Sequence, residues 1–445
     1  MISTLFHSRR RILKALGMAA GAGLLTPLAF GLSRGSTALQ PPGRVVDRRY
    51  FGMHMHGIAV RRPWVPYGDC LTAWPEADFG SWRLWDAYVA WPNLQPHRDR
   101  WDFSVLDHYV DLAGKHDVEI VLPLGLTPAW ASARPDEKSS YKPGNAAEPA
   151  SLDDWRTYVR KVAERYKGHI RHYEFWNEPN VPPGVQGAFF SGTVEKAVEL
   201  AQEAYRVLKD VDPENKFAAP ATVGSGKHLD WLDRFLGLGG KDALDVLSHH
   251  FYVAESSPES MLPLIGKVRG TMNRHGLGHV PIWNTEAGWW IANQGGMKNR
   301  DGLVSGWKKL DASDGAAYVA RALILGWAAG LERYYWYSWD HGNMGLIEPS
   351  DRTLKPAGKA YDTVVGWLEG AVMSSCSESD GLWICDLSHP DGSRAMIAWR
   401  ESGEQSPWRL PSGHVFRETV QLDGSVSGLA PSAHIQLGQQ PVLVR

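Results

Sequence analysis

Two short segments of the chain place a carboxylate where chemistry could use it. Trp176-Asn177-Glu178-Pro179-Asn180 and Trp283-Asn284-Thr285-Glu286-Ala287-Gly288-Trp289 each set one glutamate beside an amide or hydroxyl donor and between tryptophans. Both follow apolar runs that read as strands, so each glutamate stands at a strand tip. Two opposed carboxyls are what glycoside hydrolysis requires: one protonated to assist the leaving oxygen, one anionic to attack the anomeric carbon. The flanking tryptophans are expected to wall the pair with apolar surface, raising one pKa while the other stays low.

Metal-dependent hydrolysis is the competing chemistry. His54-Met55-His56, His249-His250 and Asp340 are residue types that ligate divalent ions. Strand alternation, however, points His249 and His250 to opposite faces, and a metal site leaves both glutamate segments unexplained. The two-carboxylate reading needs no metal and no cofactor. A carbohydrate-binding barrel without activity would keep the aromatics and lack a carboxylate; here both carboxylates are present.

The elements that must position these residues alternate regularly. Eight strand candidates, Tyr50–His56, Ser81–Trp85, Glu119–Leu124, His169–Trp176, Lys216–Pro220, Val246–Tyr252, Val280–Asn284 and Arg333–Trp339, are separated by helical stretches. Ser151 opens one helix whose apolar stripe is Trp155, Tyr158, Val159, Val162, Ala163 and Tyr166. Others run from Ser104 to Lys115 and from Val194 to Leu208. The pattern predicts an α/β fold, a (β/α)8 TIM barrel over residues 49–370, with catalytic groups at the strand ends. A doubly wound sheet fits less well, because no glycine-rich phosphate loop follows the first strand. Beyond Gly370 helical periodicity gives way to short strands and Asp-Gly or Ser-Gly turns, which predicts a small all-β domain over residues 371–445. Two long loops, Pro128 to Ala150 and Ala287 to Asp311, carry Trp130 and Tyr141, and Trp289, Trp290 and Trp307. They are expected to stack on sugar rings along an extended cleft.

Composition sets outer limits. Of 445 residues 43% are hydrophobic and 22% charged, a globular balance. The first 38 residues hold Arg9, Arg10, Arg11, Lys14 and Arg34 and no acid, so without them 42 bases face 49 acids, a net charge of −7. That excludes nucleic acid as the main partner. Ser8-Arg9-Arg10-Arg11-Ile12-Leu13-Lys14, a weakly apolar stretch and Ser36-Thr37-Ala38 resemble a twin-arginine signal cleaved near residue 38. The export machinery is then a partner, the location is periplasmic or secreted, and no stable membrane insertion is expected after cleavage. Cys376 and Cys385 bracket a possible hairpin; a disulfide and two unpaired thiols are equally compatible with the spacing.

Taken together, the motifs resemble the retaining glycoside hydrolases built on (β/α)8 barrels with carboxylates on the fourth and seventh strands, and among them family 39. Asn177-Glu178-Pro179 matches the acid/base motif and Asn284-Thr285-Glu286-Ala287-Gly288 the nucleophile motif. Trp101-Asp102-Phe103 with Leu106-Asp107 resembles the opening of the family's second βα unit. The resemblance implies Glu178 as acid/base and Glu286 as nucleophile, with Asn177 on the sugar 2-hydroxyl and Arg83 keeping the nucleophile ionised. It further implies that His250 reaches the substrate and Tyr252 reaches Glu286, and that Trp336 or Trp339 forms the floor under the sugar. His56 completes the expected substrate-binding set with Trp130 and Trp289. The expected substrate is a polysaccharide or oligosaccharide, cut internally in a bacterial exopolysaccharide, with chain-end β-xylosidase-like action as the alternative.

Overall fold

The computed structural model describes residues 36–445 apart from 59–70, 186, 295–305, 412–414 and 431–433. Cys70 and the segment expected to direct export, up to residue 35, lie outside the described residues.

Eight parallel strands close into a barrel: β1 (Phe51–Met53), β2 (Ser81–Arg83), β3 (Glu119–Leu124), β4 (His172–Phe175), β5 (Lys216–Val223), β6 (Val246–His250), β7 (Ile282–Ala287) and β8 (Leu331–Trp336). Each pairs with its neighbour in chain order, and β8 pairs with β1. β1, β2, β4, β6 and β8 are shorter than the runs that mark them, β3 matches its run, and β5 and β7 extend further toward the C-terminal end. Residues past the last ladder bond, such as His54 to His56 and Trp176 to Glu178, turn into the loops that build the site. The barrel interior is packed by Val121, Ala218, Val246, Trp283 and Tyr335. At its N-terminal end Glu119 binds Arg333 and Arg49 (2.9 Å to Nε of Arg49). The floor beneath the site is thus solid.

Helices cover the outside where sequence periodicity places them. Ser151 caps α2 (Leu152–Arg165) by accepting from the Asp153 amide, and Thr193 caps α3 (Val194–Val211) by accepting from Lys196. At α1 (Ser104–Lys115) the cap is supplied by Asp102, which accepts from the Ser104 amide at 3.1 Å, while Trp101 stacks on Phe103.

The C-terminal residues form a seven-stranded antiparallel sheet with a short two-stranded partner. Cys376 and Cys385 face each other in register on neighbouring strands and are disulfide-bonded. The strand Thr37–Leu39 pairs at the sheet edge with Val372–Ser379, so the folded unit includes residues 37 and 38. This sheet has no independent core on its barrel side. Met373, Trp383, Leu387 and Trp399 are buried in one cluster with the barrel helices. A buried polar network joins the layers: Arg321 donates through Nε to Glu259 Oε1 at 2.8 Å, and Trp399 Nε1 donates to the same oxygen at 3.1 Å. Removing one partner of such a buried pair costs about 3–5 kcal/mol. Glu259→Ala should therefore lower unfolding stability by about that amount, and truncation after Gly370 should give insoluble or thermally weakened protein. Chemical denaturation of the variant and a solubility assay of the truncation check this; a fully stable barrel lacking the sheet would contradict it.

Candidate active site

The site is assembled around a fully buried guanidinium. Arg83, the last residue of β2, donates through Nε to Glu174 at 2.6 Å, through Nη1 to Glu286 at 2.9 Å and through Nη2 to Asn177 Oδ1 at 2.7 Å. Its three partners belong to β4, β7 and the turn after β4. Strand alternation explains Glu174: His172 and Glu174 share one face of β4 while Tyr173 and Phe175 take the other.

The turn that carries Glu178 is tight. Trp176 and Glu178 both have left-handed backbone conformations (φ 53° and 46°), which cost non-glycine residues energy and persist where surroundings fix them. Here the amide of Glu178 donates to Ala221 at 2.9 Å, and Asn180 exchanges two hydrogen bonds with Val223 on β5. Glu286 lies within β7. Two residues on, Gly288 admits the β8 end: a Cβ there would sit 2.6 Å from the Tyr337 carbonyl oxygen.

One carboxyl oxygen of Glu178, one of Glu286 and a nitrogen of His250 lie within 4.8 Å of one another. His250 Nδ1 is 2.9 Å from Glu178 Oε1, and Tyr252 donates its hydroxyl to Glu286 Oε1 at 2.9 Å. Burial raises both carboxyls, Glu178 to about 7, against the opposing charge of Arg83, and the charge of Glu178 contributes to the rise at Glu286. The two cannot both ionise cheaply, so near neutrality the pair holds a proton. Its location follows from the donors. Glu286 accepts from a guanidinium and a phenol, which stabilise its anion. Glu178 faces an imidazole kept neutral by burial and by Arg83. The anion belongs on Glu286 and the proton on Glu178.

The structure thus brings together Glu178, Glu286, Asn177, Arg83, His250 and Tyr252. His250 contacts the acid rather than standing free for substrate. His56 lies one layer back, its amide donating to Asp340 at 3.0 Å and its ring against Tyr337 at 5.0 Å.

The four tryptophans assigned to substrate are elsewhere. Trp130 donates to the Gln95 carbonyl and packs on Trp91 and Arg98, pinning its loop to the barrel flank. Trp289 is 1% exposed, donates to Ser256 and stacks on Trp336. Trp336 is fully buried and Trp339 4% exposed, so neither offers a floor. Nor do tryptophans wall the carboxylates: Trp176 packs outward on Phe190, and Trp283 fills the barrel interior. Enclosure of the whole site, rather than those rings, raises the pKa values.

Three residues escaped the sequence reading. Glu174 had a signal, a charge inside a strand that is otherwise buried. Asp86 accepts from the hydroxyls of Tyr337 (2.7 Å) and Tyr141, joining the ends of β2, β8 and the loop after β3. Tyr337 lies beside His54 and His56. Such cross-barrel contacts have no sequence spacing to betray them.

The histidines of the metal alternative do not converge. His54 bonds the Thr285 carbonyl (3.0 Å), His249 bonds Thr222 (2.8 Å), and His56 sits 3.6 Å from Asp340. Among the described residues the one group with ligand spacing is Glu178, His250 and Glu286 themselves.

Comparison with known proteins agrees with this geometry. Residues 147–361 match the glycosyl hydrolase catalytic core family, and residues 81–180 match a beta-galactosidase family. Curated relatives match locally: beta-galactosidase LacZ of Heyndrickxia coagulans is 32% identical over 94 residues, and endo-1,4-beta-xylanase A of Caldicellulosiruptor sp. (strain Rt8B.4) 24% over 131. These matches span 18% and 28% of this chain but 14% and 19% of those proteins. Similar solved structures extend over the whole fold. A family 39 glycoside hydrolase from Bacteroides cellulosilyticus WH2 has a TM-score of 0.68 at 16% identity, covering 90% of this chain and 82% of that one. A monomeric beta-xylosidase from Caulobacter crescentus CB15 has a TM-score of 0.61 at 17% identity, covering 92% and 97%. At such identities the likeness is one of fold. The chain shares with them a (β/α)8 barrel. Residues 147–361 of the chain carry the match to a glycosyl hydrolase catalytic core.

A carboxyl whose folded pKa is raised stabilises the fold fully below its unfolded value, near 4.5, and loses that contribution as pH rises through the folded one. Two effects should follow. Activity should fall on a basic limb near pH 7 as Glu178 deprotonates. The melting temperature should also fall between pH 5 and pH 8, and Glu178→Gln should lose part of that fall. A pH–rate profile flat to pH 9 would contradict the assignment of the proton.

Proposed function

We propose that the protein is a retaining glycosidase with Glu178 as acid/base and Glu286 as nucleophile. The observation that carries this is their spacing: carboxyl oxygens within 4.8 Å leave no room for the water an inverting enzyme places between groups roughly 6.5–9.5 Å apart. In the first step a Glu286 oxygen bonds the anomeric carbon as the glycosidic bond breaks, and the Glu178 proton goes to the leaving oxygen. In the second, Glu178 takes a proton from water, whose oxygen displaces Glu286 and regenerates both groups. Arg83 and Tyr252 hold the nucleophile's charge. Because Arg83 occupies Asn177 Oδ1, the amide nitrogen is left to donate to the sugar 2-hydroxyl, a bond that strengthens in the transition state. The first-formed product should keep the substrate's anomeric configuration, read by proton NMR. Glu286→Ala should lose activity by a factor of about 10⁴ or more, with azide partly restoring it as a product of opposite configuration. An inverted first product would sink the pair. Chelation should leave the rate unchanged.

The substrate is a polysaccharide or oligosaccharide outside the cytoplasm, in keeping with the twin-arginine-like segment, and a bacterial exopolysaccharide fits that location. Internal cutting draws on the export-like segment, the resemblance and the loop tryptophans, of which Trp130, Trp289 and Trp290 are taken up in packing. Aromatic surface near the site includes Tyr141 stacked on Phe189 and the half-buried Trp307 beside Tyr252. Chain-end release is the reading the geometry favours. With the acid on β4, the leaving group departs on that side, and the retained sugar points toward β8, β1 and β2. There the Tyr337–Asp86–Tyr141 bridge ties three loop ends across the cleft. Early products decide between the two: monosaccharide from the first minutes supports chain-end action, whereas a rapid fall in polymer viscosity with tetrasaccharides or longer products supports internal cutting.

A further inference from the structure

Of the three groups bonded to Arg83, two have tasks in the displacement: Glu286 attacks, and Asn177 is placed to meet the sugar. The third, Glu174, is fully enclosed, so it acts through Arg83. Its bond is nevertheless the shortest of the three, 2.6 Å from Nε against 2.9 Å to Glu286 and 2.7 Å to Asn177. A carboxylate inside a strand is expensive to desolvate, and Glu286 already matches the guanidinium in charge. Glu174 therefore needs a further reason.

The contact does two things. A guanidinium is planar, and a bond at Nε fixes that plane, which aims Nη1 at Glu286 and Nη2 at Asn177. Glu174 also competes for the charge. Against the cost of burial, Arg83 is kept charged by Glu174 and Glu286 together. Arg83 is in turn the strongest influence opposing the burial that raises Glu286 and Glu178. The share taken by Glu174 is withheld from the catalytic pair. An undivided guanidinium would make Glu286 a weaker base and hence a weaker nucleophile.

We propose that Glu174 is a positioning residue that sets the strength of the nucleophile, orienting Arg83 through Nε and dividing its charge. The inference rests on the retaining reading of Glu178 and Glu286. Glu174→Gln keeps the shape and an oxygen for Nε but removes the charge, and the surroundings are common to both forms. Glu286 faces Glu178, the Tyr252 hydroxyl and Asp86 beyond β2, with Tyr141 and Tyr337 nearby. Glu178 faces His250 and feels His228 of the helix Lys227–Gly237. His54 and His250 are lowered by burial and by Arg83, and a less divided Arg83 lowers them further, so neither gains a charge. What differs between the forms is the charge of Glu174.

The test uses the purified full chain. Wild type is screened against 4-nitrophenyl glucosides, galactosides, mannosides, xylosides and fucosides in both anomers, and the one cleaved fastest serves throughout. The pH profile of kcat/KM reports the carboxyl pair of the free enzyme. In Glu174→Gln both limbs should move to lower pH by about one unit, because losing a nearby negative charge favours the ionised carboxyls. The rate at the new optimum should fall by about tenfold as the guanidinium loosens. Glu174→Asp, whose carboxylate is drawn back from Nε, should move both limbs the same way by a smaller step. A merely structural role would lower the rates and move neither limb, which would overturn the proposal. Circular dichroism and melting temperature establish folding; if Glu174→Gln does not fold, the shift in Glu174→Asp decides. Failure of both to fold would make Glu174 a support of the barrel and overturn the proposal as well. Cleavage of no glycoside by wild type, an inverted first product or activity surviving Glu286→Ala would overturn the retaining reading instead.

Discussion

The structure depends on one buried positive charge. Arg83 is fully enclosed, and an unpaired guanidinium there would be prohibitive to desolvate. It is held by two carboxylates and an amide oxygen contributed by strands that do not adjoin its own throughout: β4 supplies Glu174, β7 supplies Glu286, and the turn after β4 supplies Asn177. The planar fork of donors fixes all three partners at once, a geometry lysine could not reproduce. Burial is what lets Glu178 keep a proton, against the opposing charges of Arg83 and His228.

The scaffold serves this arrangement layer by layer. Packed side chains in the barrel and the Glu119 network below it give the strand ends a rigid base. The left-handed turns at Trp176 and Glu178 aim successive residues in different directions, Asn177 to Arg83 and Glu178 to His250. Tryptophans that look like sugar platforms in a linear reading serve as pins: Trp289 and Trp336 stack on one another behind the site, and Trp130 fastens its loop to the flank. The C-terminal sheet buries apolar surface the helices would otherwise expose, with Arg321 and Glu259 joining the two layers.

Much of the fold was legible in the sequence because its signals are local. Short apolar runs between helical stretches marked all eight strands, and Ser151 marked its helix start as its capping chemistry requires. The proposed catalytic pair stood out for a different reason: the glutamates sit at matched positions just past or at the end of two strands. What was not legible is what depends on burial of a large ring or on contacts across the barrel. A tryptophan has the same spacing whether it lines a cleft or fills a core, so Trp130, Trp289, Trp336 and Trp339 were misassigned to substrate. Asp86 lies 251 residues from Tyr337 in the chain, and only closure of the barrel brings them together. His250 could be placed on the inward face but not matched to Glu178, because alternation gives a side, not a partner.

The division of labour between Glu286 and Glu178 is tested most directly by trapping the glycosyl–enzyme ester. Wild-type protein is treated with a panel of 2-deoxy-2-fluoro glycosyl fluorides, which slow release of the intermediate, and then digested and sequenced by mass spectrometry. A single sugar adduct on the peptide containing Glu286, absent from Glu286→Ala and accumulating with loss of activity, is the expected result. An adduct on Glu178 or Glu174 would contradict the assignment, as would complete turnover of a cleaved fluoride with no ester formed on Glu286.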